Sequence, residues 1–410
     1  MFKKLMTLVL TVLILGLSLS GVSAQDKATV TFFTFSAAPD HLNDLDAIVK
    51  AFEEANPDVK VEVKTAAYAD YFTLLQTDIG SGAAPDVFEL NYENFVTYAA
   101  NNTMLDLSGK VSADAPFYPA ALKAFSYDGK QYALPETFST VLLFYNADLF
   151  DKAGVSYPTE EWTWTDAMEA AKKIRALGTD TWGIYQPVQF WEFYKKAAQQ
   201  GECQFFNADM TESTINSPGC VAALETMMSF MKEGVMPTAA ELSGVSDTDL
   251  FASGKVGMIV TGIWMFSAFK DVPFKWDVQL EPGIAKKAHH FFANGVAVSA
   301  TTKNADAAAK WAEFLTSSQK AAEVRVASSW ELPALNKAEY FDAYLKQTPP
   351  ANRAAVFKAL ETPVTPPVIV RQNEMQDGVN ALITQVVDGE LTAQQALDQA
   401  KAKLDELIKK

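Results

Sequence analysis

Thr29-Val-Thr-Phe-Phe-Thr-Phe35 and the residues that follow up to Thr65 give the clearest indication of the fold. The β-branched and aromatic residues of 29–35 predict a strand. The apolar residues that come next repeat with the period of a helix: Leu42, Leu45, Ile48, Val49 and Phe52. Asn56-Pro57 ends this helix, and alternating valines in residues 59–63 predict a second strand. The order strand, helix, strand predicts a parallel βαβ unit.

The loop after the first strand is a candidate ligand-binding segment. In open α/β sheets, ligands bind beyond the carboxyl ends of the strands. Ser36, Asp40 and His41 lie in this loop and are therefore expected to face a crevice. The segment alone is equally compatible with any α/β protein.

The N-terminus predicts export. Lys3 and Lys4 precede an apolar run from Leu5 to about Leu19, and Val22-Ser23-Ala24 offers the small residues that a signal peptidase recognises. The alternative is a membrane anchor, but the run is shorter than the ~20 residues that a spanning helix needs. We expect cleavage after Ala24, no lipid anchor because no cysteine lies nearby, and a periplasmic or extracellular product.

Charge and length narrow the functional classes. Removal of Lys3 and Lys4 with the signal peptide takes the formal net charge from −16 to −18. Such acidity argues against nucleic acid and anionic lipid as partners, because both require clustered Lys and Arg. The mature chain, residues 25–410, exceeds the ~250–300 residues at which a single core stops growing, so two lobes are expected.

The two cysteines of the chain, Cys203 and Cys220, enclose a short segment with turn residues. In an exported protein they predict a disulfide. Two separate buried thiols are the alternative.

Strands and helices continue to alternate along the rest of the chain. The further predicted elements are a helix over 71–79, a strand over 86–90, strand-like runs at 132–135 and 140–145, and helices at 166–177 (capped by Thr165) and 219–232. Thr392 and Gln395 form a capping box for an amphipathic C-terminal helix that should dock on a lobe.

Several motifs occur in an order that resembles a known family. They are Ala51-Phe-Glu-Glu-Ala-Asn-Pro57, Ala84-Pro-Asp-Val87, Phe144-Tyr-Asn-Ala-Asp-Leu-Phe-Asp-Lys-Ala-Gly154 with Trp164-Thr165-Asp166, Phe251-Ala-Ser-Gly-Lys-Val-Gly-Met258 with Gly262-Ile-Trp264, and Trp311-Ala-Glu-Phe-Leu315. Together they resemble the bacterial extracellular solute-binding proteins of family 1, the maltose-binding-like receptors of ABC importers.

The resemblance implies an α/β, two-lobed periplasmic-binding-protein fold with discontinuous lobes and several crossing segments. The first lobe would comprise 25–138 and 292–333, and the second 139–291 and 334–410. Crossings are expected near 137–141, 289–292 and 333–337. It also implies a monomer that closes on a carbohydrate, a mono- or oligosaccharide, and delivers it to an ABC transporter permease in the membrane.

A sugar site needs aromatic rings for the C–H faces of the pyranose and planar polar side chains for its hydroxyls. The candidates for stacking are Trp264, Trp191, Trp330 and Tyr68. The candidates for the polar rim are Ser36, Asp40, His41, Glu89, Asn91, Glu136 and Asn294, each beside a predicted strand end or crossing. For each residue the alternative is an ordinary core or surface role.

Two other functional classes remain open at this point. A binding protein for a non-sugar solute such as a polyamine would show acidic clustering without aromatic platforms. A glycoside hydrolase would need two suitably spaced carboxylates, which a sequence does not reveal. Three histidines without an H-E-x-x-H motif, and no P-loop, give no indication of catalysis, a metal or a cofactor.

Overall fold

The computed structural model describes residues 27–36, 38–110, 112 and 115–409. The expected signal peptide and its cleavage site lie outside these residues. In the part that is described, no helix is both long enough and apolar enough to cross a membrane.

Twelve strands are found in the described residues. In chain order they are β1 Ala28–Thr34, β2 Val59–Thr65, β3 Val87–Asn91, β4 Ser126–Tyr127, β5 Lys130–Gln131, β6 Ala133–Asn146, β7 Trp182–Tyr185, β8 Val256–Gly262, β9 Trp276–Gln279, β10 His289–Val298, β11 Leu332–Pro333 and β12 Pro363–Val364.

Sixteen α-helices accompany these strands in the same residues. They are α1 Pro39–Ala55, α2 Tyr68–Gly80, α3 Tyr92–Ala100, α4 Pro119–Ala124, α5 Ala147–Ala153, α6 Trp164–Arg175, α7 Phe190–Gln200, α8 Pro218–Lys232, α9 Ala239–Leu242, α10 Asp247–Ala252, α11 Ala305–Ser317, α12 Gln319–Ser328, α13 Ala338–Tyr344, α14 Ala354–Ala359, α15 Gln372–Val387 and α16 Ala393–Leu407.

Two sheets share one long strand, and each is the centre of a lobe. In the first lobe the order is β2-β1-β3-β10-β6, and in the second lobe β6 continues beside β8, which pairs with β7. Strand β6 pairs with β10 over Ala133–Thr140 and with β8 over Val141–Tyr145. The lobes are therefore joined by continuous strand, not by a flexible linker.

The βαβ unit predicted from the opening stretch is confirmed. Strand β1 pairs in parallel with β2 from Ala28 and Val59 to Thr34 and Thr65, and also in parallel with β3. The apolar face of α1 is buried against these strands through Leu45, Ile48 and Phe52. The amphipathic pattern of the sequence thus identifies the buried face of the helix.

Several predicted boundaries differ from the structure. Helix α1 begins at Pro39, so Asp40 and His41 belong to its first turn and not to the loop after β1. The runs 132–135 and 140–145 belong to one strand, β6, apart from Tyr132, because its residues are all buried and pair with β10 up to Thr140 and with β8 from Val141. Helix α6 is capped by Thr163 and not by Thr165, since the hydroxyl of Thr163 accepts from the Asp166 amide and Asp166 completes the capping box. The capping box of Thr392 and Gln395 is confirmed.

The C-terminal helices pack on the second lobe. Helices α15 and α16 share an apolar cluster with α7 and α8, including Phe193, Leu224, Val379 and Leu404. The same cluster contains Cys203 and Cys220, whose sulfur atoms are bonded in the structure.

This disulfide yields a testable expectation. Because it closes a loop with a sequence separation of 17 residues, replacing Cys203 and Cys220 by Ser should lower the free energy of unfolding by about 3 kcal/mol. Urea unfolding of the oxidised protein and the double variant measures this difference. Alkylation of both thiols without prior reduction would contradict the pairing in the exported protein.

Candidate functional site

The carboxyl ends of the parallel strands in both lobes point to one region. In the first lobe, β1 ends at Thr34 and β3 ends at Asn91. In the second lobe, β7 leads to Trp191 in the first turn of α7, and β8 ends at Gly262 just before Trp264. These are the edges at which open α/β sheets bind ligands.

The crossing strands form the floor of this region, here called the interlobe site. Residues that face each other in an antiparallel pair lie on the same side of a sheet. Asn294 faces Thr137 and Phe292 faces Ser139, so these four side chains share one face of β6 and β10. By the two-residue period of a strand, His290 belongs to the same face.

An aromatic cluster occupies this floor on the side of the second lobe. The Phe292 ring centroid lies 5.8 Å from Trp191 and 5.6 Å from Trp264, both in edge contacts, and 3.9 Å from the stacked ring of His290. Trp191, Trp264 and Phe292 are only partly buried. Partly exposed rings of this kind provide apolar platforms for a ligand.

Gly262 fixes the position of Trp264. A Cβ atom added at Gly262 would lie 1.9 Å from Cζ3 of Trp264, so the indole lies directly against the glycine backbone. Any side chain at residue 262 would displace the ring. The Gly-x-Trp motif of the sequence therefore has a steric basis in the structure.

The first lobe contributes a carboxyl cluster, formed by Glu89, Glu136 and Glu331 around Arg325. The guanidinium of Arg325 pairs with Glu136, and the Thr34 hydroxyl donates to Glu89. Glu331 Oε2 accepts from Thr137 Oγ1 at 2.6 Å and from Asn294 Nδ2 at 3.3 Å. These contacts place the cluster beside the floor of the interlobe site.

Burial disfavours ionisation throughout this cluster. It raises the pKa of Glu331 to about 7, with a further contribution from the charge of Glu136. Burial, and to a smaller extent the charge of Glu136, holds the pKa of Glu89 well above its usual range. Burial also raises the pKa of Glu136, although the charge of Arg325 acts to lower it. Glu89 and Glu136 are almost fully buried, whereas Glu331 is half-buried.

The Trp330 ring contacts the side chains of His41 and Arg325. His41 stacks on the indole with centroids 4.6 Å apart, and the Arg325 guanidinium lies 4.1 Å from its ring centroid. Trp330 is 3% exposed. These contacts support Arg325 and leave little of the Trp330 surface for a sugar.

Asn91 and Tyr68 are brought together at the end of β3. Asn91 Nδ2 donates to the Tyr68 hydroxyl at 2.9 Å, and Asn91 Oδ1 caps α3 through the Asn94 amide at 3.2 Å. Tyr68 is 55% exposed, so its ring is accessible. Ser36 donates its amide to Thr34 Oγ1 at 3.0 Å, whereas the side chain of Asp40 lies outside the described part of the structure.

Sequence reasoning missed five residues of this site. They are Glu93, His290, Phe292, Arg325 and Glu331. Glu93 Oε1 of the first lobe lies 3.6 Å from His290 Nε2 on the crossing strand, and burial lowers the pKa of this imidazole. Phe292 and His290 lie within the predicted crossing 289–292, and that prediction could have identified them as site residues.

Among the described residues, no group of three or more His, Cys, Asp or Glu side chains could hold a metal ion.

A surface depression of about 540 Å³ in the second lobe is lined by Trp182 and Lys255. It lies at the amino ends of β7 and β8, opposite the edge that carries Trp191 and Trp264, and is not part of the interlobe site.

Two α/β lobes that share a long strand and direct their carboxyl edges to a common floor define a two-lobed binding protein. Comparison with known sequences gives the family. The family model of the bacterial extracellular solute-binding proteins matches residues 38–322, and the chain belongs to this family.

Several known proteins are similar to the chain in sequence or in structure. An ABC substrate-binding protein of Listeria monocytogenes, Lmo0181, solved in complex with cycloalternan, is 46% identical and superposes with a TM-score of 0.90 over 93% of this chain and 99% of that one. The galactooligosaccharide-binding protein of Bacillus subtilis is 26% identical over 87% of this chain and 85% of its own. Maltose-bound T. maritima MalE3, at 19% identity, has a TM-score of 0.81 over 93% and 100% of the two chains and shows the shared fold.

Proposed function

We propose that this chain is the carbohydrate-binding component of an ABC importer and that it holds an oligosaccharide in the interlobe site. The observation that carries the proposal is that Trp191 and Trp264 lie on the same floor as the carboxyl cluster and Asn294, at the carboxyl edges of both lobes. Aromatic platforms suit the apolar faces of a sugar ring, and carboxyl and amide groups suit its hydroxyls. Relatives described as binding cycloalternan and galactooligosaccharides support the same ligand class.

The proposed contacts divide the candidates by role. Trp264, Trp191 and Tyr68 are the stacking surfaces. The hydroxyl-binding groups are Ser36, Asp40, His41, Asn91 and Asn294 together with the carboxyl cluster of Glu89, Glu136 and Glu331. Trp330 is assigned a supporting role, because His41 and Arg325 are stacked against it.

Closure of the lobes links binding to transport. A ligand that touches both lobes favours the closed state by the difference between its affinities for the two states, and a permease can then distinguish loaded from empty protein. The lobes would comprise 25–138 with 292–333 and 139–291 with 334–410. A monomer, export and cleavage after Ala24 without a lipid anchor complete the proposal, and the intact mass of the exported protein tests the cleavage.

The rival classes fit the site less well. A polyamine site was expected to show acidic groups without aromatic platforms, but here both occur and Arg325 neutralises part of the acidity. In a glycoside hydrolase, two carboxyls flank the scissile bond. Glu89, Glu136 and Glu331 belong to one cluster, tied to Thr34, Arg325 and Thr137, whereas Glu93 lies beside His290.

A panel of ligands tests the proposal. Thermal shift and calorimetry with cycloalternan, maltotriose, galactooligosaccharide and spermidine should show stoichiometric binding of at least one sugar and none of spermidine. Chromatography of the recovered sugar should show no hydrolysis products. Binding of spermidine alone would favour the polyamine class, and turnover would establish a hydrolase.

A further inference from the structure

The carboxyl cluster carries more negative than positive groups. Glu89, Glu136 and Glu331 converge on Arg325, which pairs with Glu136, and the Coulomb interactions of the three carboxyls extend to one another. The other oxygen of Glu136, Oε2, is buried and has no hydrogen-bond partner in the described residues. Three carboxylates beside one cation are costly to keep ionised at low dielectric.

The neighbouring elements supply dipoles and two further titratable rings, those of Tyr71 and His41. Strand β1 contributes the Thr34 hydroxyl, β6 the Thr137 hydroxyl and β10 the Asn294 amide. The Tyr71 hydroxyl from α2 lies 2.7 Å from the Glu89 carbonyl oxygen. Helix α1 brings His41, which reaches the cluster through its stack on Trp330.

We infer that the carboxyl cluster holds a proton in the free protein and that a bound sugar displaces it, so that ligand capture releases protons. This inference rests on the proposed function, because it concerns the same site.

Glu331 is the group from which the proton leaves. It remains half-buried, whereas Glu89 and Glu136 are 2% and 3% exposed. Its Oε2 is already oriented by Thr137 and Asn294, two residues on the floor of the interlobe site. A sugar hydroxyl that donates to this carboxylate favours its ionised form.

The direction of the pH dependence follows. The pKa of Glu331 is about 7 in the free protein, and donors from the ligand lower it. Affinity is therefore greatest above this pKa and decreases as the pH falls and the ligand has to displace the proton. For one proton the affinity should weaken about tenfold from about pH 8 to about pH 5.5.

Calorimetry with cycloalternan, or with maltotriose where cycloalternan gives no heat, tests this inference. Titrations near pH 7 in buffers with different ionisation enthalpies count the protons that are released. Because a pKa of about 7 leaves Glu331 about half protonated near pH 7, we expect release of up to about half a proton per bound sugar. Glu331→Gln should abolish both the release and the tenfold pH dependence, since the amide preserves the shape of the side chain but does not ionise in this range.

Two control variants separate other sources of protons. Glu54→Gln changes an exposed carboxyl on α1 of the same lobe and should retain the release. His41→Gln removes the imidazole, and proton release should persist in this variant whatever its affinity.

Three results would overturn the inference and leave the proposed function intact. They are binding heat without proton release, binding with proton uptake, and proton release that persists in Glu331→Gln. The absence of heat from every sugar in the panel would overturn the proposed function, and the inference with it.

Discussion

Replacing Trp264 by Ala should weaken sugar binding by roughly tenfold or more while the protein stays folded. The ring is partly exposed at the carboxyl end of β8, lies against Gly262 and contacts Phe292 by its edge. Its loss removes a platform from the second lobe, and with it one of the contacts that favour closure. Calorimetry measures the affinity, and small-angle scattering measures the compaction on binding.

Trp182→Ala is the matched control. Trp182 is also half-buried in the second lobe, but it begins β7, and Arg175 lies 4.3 Å from its ring centroid. Its replacement should leave the affinity unchanged. An unchanged affinity in Trp264→Ala would assign that ring to the core, and tight binding by the wild type without compaction would refute closure of the lobes.

Lys195→Met should destabilise the protein by about 3–5 kcal/mol, because it breaks a buried ion network. Lys195 Nζ lies 2.7 Å from Glu192, and both side chains are fully buried together with Lys196 and Glu281. Burial alone would lower the pKa of Lys195, but Glu192 and Glu281 together raise it. Without this cation, Glu281 would lose its ion-pair partner.

Urea unfolding measures the loss, and Lys401→Met provides the comparison. Lys401 also pairs with two acids, Glu212 and Asp405, but at a partly exposed position where such pairs contribute up to about 1 kcal/mol. Adding Glu281→Gln to Lys195→Met should recover part of the stability, because the uncompensated charge disappears. Equal losses in the two single variants would show that burial does not decide the strength of this network.

The helix that carries this network also contacts the interlobe site. Lys195 Nζ lies 5.4 Å from the centroid of the Trp191 ring, and the side chain of Gln199 in the same helix donates to the Ala288 carbonyl oxygen at 3.1 Å. Ala288 immediately precedes β10. Helix α7 thus brings a buried charge to Trp191 and a hydrogen bond to the segment that leads into the crossing strand with His290 and Phe292.

Local patterns predicted the elements well because they depend on neighbours in the sequence. The alternation in 59–63 and the helical period from Leu42 to Phe52 each report burial against one face. The length of β6 was harder to predict. Pro135 and the polar residues around it interrupt the apolar pattern, and only the pairing with β10 shows that they belong to a strand.

The site was less predictable because its contacts join distant parts of the chain. Arg325 reaches Glu136 across 189 positions, and Thr137 reaches Glu331 across 194. No periodicity in the sequence marks such pairs. Trp264 could be selected because it stands beside Gly262 in the motif that resembles the solute-binding family. The structure adds the steric reason, since the glycine leaves room for the ring.

The chain order of the strands also determines when each sheet can be complete during synthesis. Strand β10 lies between β3 and β6 in the first sheet, yet it follows β7, β8 and β9 in the chain. The ribosome therefore produces every strand of the second sheet before the one that joins β3 to β6. The lobe that begins first is the last to have its sheet complete, and no continuous fragment can contain that whole sheet without the strands of the other lobe.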